Sequence, residues 1–159
     1  MMILFEGITM SFWLLLVCVI GIANGPVGLV CLYEKEVQDR VVELGYTTKE
    51  KIKRSEMISG IAIFAPVILV VPVMVYCING ATGFVDSFWQ MTIILWIMNL
   101  FDRIFIDWYW VGRTKAWLIP GTEDLMPYIP LKVVAKKWIG TFIGFPIIAA
   151  IIAGFMALI

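Results

Sequence analysis

Three polar residues inside one apolar run are spaced for chemistry. Asn99, Arg103 and Asp107 stand at i, i+4 and i+8, and Asp102 adjoins Arg103. At about 100° per residue the three share one helix face with Trp96 and Trp110, with Asp102 on its flank. A charged side chain at the bilayer centre costs roughly 2.5–3.5 kcal/mol on insertion scales, so such groups turn inward and pair. The Arg103–Asp107 spacing makes that pairing available.

Two readings of the cluster follow. In one it is a polar pocket open to the cytoplasm. Arg103 binds an anionic head group or substrate there, and a carboxylate serves as base, ion ligand or proton carrier. In the other, the cytoplasmic membrane surface lies near Asp102, the span is about 84–101, and Arg103 reaches up to phosphate level. Downstream, Arg113, Lys115, Trp117, Glu123, Asp124 and Tyr128 either cover such a pocket or sit as loop residues beside anionic lipid. The ligand-binding candidates are therefore Asn99, Asp102, Arg103, Asp107, Trp110, Arg113 and Lys115.

No catalytic role can be assigned from motifs. The chain has no histidine, which excludes His-ligated haem, His-containing zinc sites and Ser–His or Cys–His pairs. There is no phosphate-binding Walker loop, dinucleotide fingerprint, HExxH or GxSxG. No metal site and no cofactor is indicated. Cys18, Cys31 and Cys77 form no CxxC pair and lie in or beside apolar runs, so they read as small packing residues rather than a disulfide framework.

The elements that must position the cluster are membrane helices. Of 159 residues, 62% are hydrophobic and 15% charged, a surplus of apolar surface that one small soluble core cannot bury. Four apolar stretches approach the roughly 20 residues needed to cross hydrocarbon: about 8–32, 57–78, 88–111 and 138–159. The fold expected is an all-α integral membrane protein, a bundle of four transmembrane helices forming a single membrane domain. The first stretch has Glu6 but no basic residue before it, unlike a signal peptide, and is read as a retained helix.

Orientation follows from the twelve Lys and Arg. Six lie in the 33–56 loop (Lys35, Arg40, Lys49, Lys51, Lys53, Arg54) and five around the 112–137 loop (Arg113, Lys115, Lys132, Lys136, Lys137). Arg103 is the twelfth, in the inner half of the third span. The positive-inside rule then puts both termini outside and both charged loops in the cytoplasm of a multi-pass cell-membrane protein. Trp13, Trp89, Trp108, Trp110, Trp117 and Trp138 fall near span ends, as an interfacial belt does.

Within the first loop, Val37, Val41 and Leu44 make one apolar stripe, which predicts a short amphipathic cytoplasmic helix stopped at Gly45. Thr47 with Glu50 matches a capping box for the second span, where Pro66 and Pro72 predict a bend. Asn24 before Gly25-Pro26 is expected to satisfy backbone groups freed by a kink. Gly21–Gly25 and Gly140–Gly144 match the small-xxx-small pattern of close helix contact. Pro120-Gly121 predicts a turn, Thr122 a cap for a short helical turn, and Pro127 and Pro130 its end.

The lipid bilayer is the one partner these features require. A homo-oligomer or a larger membrane partner is compatible with them, and zero net charge gives no electrostatic case for nucleic acid. Three function classes remain: an accessory or ligand-binding membrane subunit, a small oligomeric transporter or channel, and an inner-leaflet lipid-modifying enzyme. The first asks least of the residues, because nothing in the sequence demands catalysis.

Overall fold

The computed structural model describes residues 1–158; Ile159, the last residue of the fourth expected span, lies outside them. All regular structure in the described residues is helical. The helices are α1 (Met2–Gly21), α2 (Lys35–Glu43), α3 (Lys49–Ile78), α4 (Gly83–Val111) and α5 (Leu131–Met156), of which α1, α3, α4 and α5 are long and apolar enough to cross a membrane. At about 1.5 Å per residue even α1, the shortest of these four with 20 residues, matches the ~30 Å hydrocarbon core.

α1 is placed differently from the 8–32 stretch. It starts at Met2 and stops at Gly21, and Gly25 at φ +107° then turns the chain into a 3₁₀ segment, Pro26–Leu32. Only glycine adopts that φ without strain. The returning segment comes so close that a β-carbon on Gly28 would collide with the Gly21 carbonyl oxygen. Ser55 fastens it to α3 by donating to the Gly28 carbonyl at 2.6 Å. Asn24 does not perform the expected backbone role: its side chain is exposed and makes no hydrogen bond in the described residues.

α2 ends in a Schellman stop. Gly45 has φ +76°, its N–H reaches the Val42 carbonyl, and the Tyr46 N–H reaches Val41 at 3.1 Å. Val37 and Val41 are buried, whereas Leu44 is exposed. The cap of α3 is one residue later than the Thr47 pattern implied. Thr48 Oγ1 accepts from the Lys51 N–H at 3.3 Å. Neither proline interrupts α3, which stays α-helical to Val73 and then turns to i→i+5 bonding over Met74–Ile78. Pro66 has no N–H for the Ala62 carbonyl, and the Trp13 indole of α1 supplies a donor at 2.9 Å.

α4 is central, packed between α1 and α5 and the most buried of the four long helices. Met91, Thr92, Ile94 and Leu95 are fully enclosed. Gly7 of α1 lets Ile97 of α4 approach until a glycine β-carbon would lie 2.7 Å from it. On α5 Thr141, Ala149 and Ala153 are fully buried, while Gly140 and Gly144 face open space. The small buried residues of the part of α5 that packs on α4 are thus alanines, nearer the C-terminus than the glycine pattern. Outward-facing Ile61, Ile68, Leu69, Ile147, Ile151 and Phe155 leave an apolar perimeter suited to lipid.

The segment between α4 and α5 is a packed cap. Trp117, expected in an interfacial belt, is only 1% exposed, with its ring edge-on to Trp110 at 5.1 Å and to Tyr33 at 6.4 Å. Tyr128 lies against Tyr33, and its hydroxyl meets Thr122 Oγ1 at 2.6 Å and the Ile119 N–H at 3.1 Å. Burial, then the neighbouring Tyr128 and Cys18, push the Tyr33 phenol above its ordinary value, so it stays neutral. A 3₁₀ turn at Glu123–Leu125 sets Asp124 against Arg40 of α2 in a two-pronged contact at 3.2 Å. The three cysteines are free.

Candidate functional site

The charged cluster is built on the cap-side end of α4. From Asp102 to Val111 this helix changes from i→i+4 to i→i+5 bonding. Such π-turns are rare and often accompany functional sites. A wider turn brings residues four apart nearly into line along the helix. Arg103 Nη1 accordingly lies 2.8 Å from Asp107 Oδ2, while Nη2 contacts Asp102.

The second partner of Asp107 comes from α5. Lys137 Nζ donates to Asp107 Oδ1 at 2.8 Å, so both oxygens of one carboxylate are held by cations from two helices. Side-chain exposure is 9% for Arg103, 13% for Asp107, 18% for Asp102 and 32% for Lys137. Two cations and two carboxylates cancel, which is how such charge is tolerated away from water. Arg103 nonetheless has donors to spare. Its Nη1 meets Asp107 off the hydrogen-bonding direction, and its buried Nε has no acceptor in the described residues.

Beside this network lies a cavity of about 540 Å³ between the π-segment of α4, the cap and the first turns of α5. Its walls include Arg103, Asp107, Trp108, Arg113, Tyr128 and Trp138. The volume falls within the roughly 300–1,000 Å³ range of ligand sites. Ile104, Trp108 and Leu131, also in its walls, are largely exposed, so the cavity opens sideways onto the apolar perimeter. The Arg113 guanidinium lies over the Trp108 ring at 4.0 Å from its centre and has no carboxylate partner in the described residues. The site therefore carries an unbalanced positive charge against an apolar wall.

Of the seven candidates, Arg103, Asp107 and Arg113 line the cavity. Asp102 supports Arg103 from behind. Asn99 is buried and donates back to the Leu95 carbonyl at 2.8 Å, a bond within its own helix. Trp110 packs on Trp117, and Lys115 is exposed on the cap. Trp96, on the same face of α4, donates to the Thr141 carbonyl of α5 at 3.0 Å.

Lys137, Trp108, Tyr128 and Trp138 belong to the site or its support but were not among the seven. A fourth span beginning at Trp138 leaves Lys137 in the preceding loop. The helix begins at Leu131 instead, just after Pro130, which places Lys137 inside it and turned toward α4. In the described residues no group of three or more His, Cys, Asp and Glu is arranged to hold a metal ion. The chain matches no protein-family model, no curated protein and no solved structure.

Proposed function

We propose that this chain is a ligand-binding protein of the cell membrane that takes an anionic amphiphile into the cavity beside α4. The head group, a phosphate or a similar oxyanion, sits on Arg113, with Arg103 in the cavity wall beside it. The apolar part lies along Ile104, Trp108 and Leu131 and leaves through the side opening. The observation that carries this reading is Arg113: a cation lining a cavity with no counter-charge, held in place by stacking on Trp108. Arginine suits the task because its planar guanidinium presents a fork of donors to an oxyanion.

Asp107 acts as the fixed centre of the network. Both of its oxygens are already engaged, so it holds Arg103 and Lys137 in position rather than moving protons. Both termini are outside and the cap is cytoplasmic, a topology supported by the gathering of the cations at the α2 end of the helices. The ligand is thus drawn from the inner leaflet.

Calorimetric titration of the full chain in dodecyl maltoside with dodecyl phosphate tests the reading. Saturable binding is expected. Arg113→Gln should weaken it by about tenfold or more, since a hydrogen bond to a charged group contributes roughly 1.5–3 kcal/mol. Lys115→Gln, which removes a cation outside the cavity, should leave it unchanged. No heat beyond micelle mixing, or an equal effect of both variants, refutes the proposal.

A further inference from the structure

A second cavity, of about 560 Å³, lies on another face of the molecule between α1, the 3₁₀ segment and α3. Trp13, Leu16, Ile20 and Ile58 form apolar walls, and all four are exposed on the membrane perimeter. The groove has a fixed shape. The Trp13 indole is tied to Ala62 on α3, the 3₁₀ segment is tied to Ser55, and Gly28 packs directly on Gly21.

At the α2 end of this groove stand Lys51 and Arg54, one helical turn apart on α3. Both are exposed, and neither has a carboxylate within ion-pair reach in the described residues. Ser55, the polar side chain next to them, already spends its proton on the Gly28 carbonyl. The arrangement is an apolar trough ending in two unpaired cations at the level where the helix leaves hydrocarbon. A transmembrane helix of a partner would fill the trough but leave those charges unmatched. A phospholipid of the same leaflet matches both parts, with acyl chain in the trough and phosphate between the cations.

We infer that the α1–α3 groove is a specific seat for one anionic phospholipid, separate from the cavity beside α4. The seated lipid completes the contact between α1 and α3, which touch each other far less than α1 touches α4.

Native mass spectrometry of the full chain, released from nanodiscs of equal phosphatidylglycerol and phosphatidylcholine, tests this. It is read in the wild type and in an Arg113→Gln background that disables the other cavity. In the Arg113→Gln background one phosphatidylglycerol should be retained in preference to phosphatidylcholine, and the variants that follow are read there; the wild type should hold a second one in the cavity beside α4. Lys51→Gln with Arg54→Gln should lower that retention by roughly 30-fold, from about 1 kcal/mol for each cation near an anionic head group. Ala62→Phe keeps every charge but fills the trough, and should lower retention as well. Equal retention of the two lipids, retention that survives Ala62→Phe, or loss of the lipid in the Arg113→Gln background alone overturns the inference. So does a co-purifying protein found in place of lipid.

Discussion

Replacing Asp107 by Asn removes one charge while keeping shape, and the structure sets what should follow. The carboxylate serves Arg103 and Lys137 at 2.8 Å each. Stripping one partner from a buried ion pair typically costs about 3–5 kcal/mol, because the other charge stays buried without compensation. Here Arg103 keeps Asp102, and Lys137, about a third exposed, can recover some hydration. The lower end, about 3 kcal/mol, is therefore expected. At roughly 2–4 °C per kcal/mol for a chain of this size, the thermal midpoint should fall by about 6–12 °C. The assay is thermal unfolding in nanodiscs followed by circular dichroism.

Lys137→Met is the companion measurement. It leaves Asp107 on Arg103 and removes a partly hydrated cation, so it should cost no more than about 1 kcal/mol. In the Lys137→Met background, Asp107→Asn should cost less than it does alone, because one of the two stranded cations is gone. A midpoint shift of less than about 2 °C for Asp107→Asn, or two changes that add within about 0.5 kcal/mol, refutes the shared role of Asp107.

Three further outcomes are expected. Gly28→Ala drives a β-carbon into the Gly21 carbonyl oxygen, a backbone atom that cannot swing aside, and should cost about 1–3 kcal/mol by thermal unfolding. Gly144→Ala, with open space at its β-carbon and φ −63°, should hold or gain up to about 1 kcal/mol in the same assay. A reporter enzyme that works only in the cytoplasm, fused after Ile159, should be inactive there and active when inserted in the cap at Gly121. The opposite pattern reverses the proposed topology.

The presence of four long apolar helices is local information: crossing hydrocarbon requires about 20 apolar residues in a row, and that is read directly along the chain. The pairing of Arg103 with Asp107 was legible for the same reason, since residues four apart on one helix meet whatever surrounds them. Gly45 announced its turn because few other residues adopt its φ.

Helix ends were less legible. The turn at Ile22–Gly25 and the start of α5 at Leu131 depend on what packs there, and both lie inside or beside runs that hydropathy alone cannot divide. The partnership of Lys137 with Asp107 spans 30 positions, and the burial of Trp117 depends on Tyr33, 84 positions away. No periodicity encodes such contacts. They exist because α4 is enclosed by α1 and α5, and because the cap folds back onto α2. Sequence thus placed Asp102, Arg103 and Asp107 within one long apolar run. Tertiary packing brought in Lys137 as the second partner of Asp107 and left Arg113, beside an apolar cavity, without an ion-pair partner among the described residues.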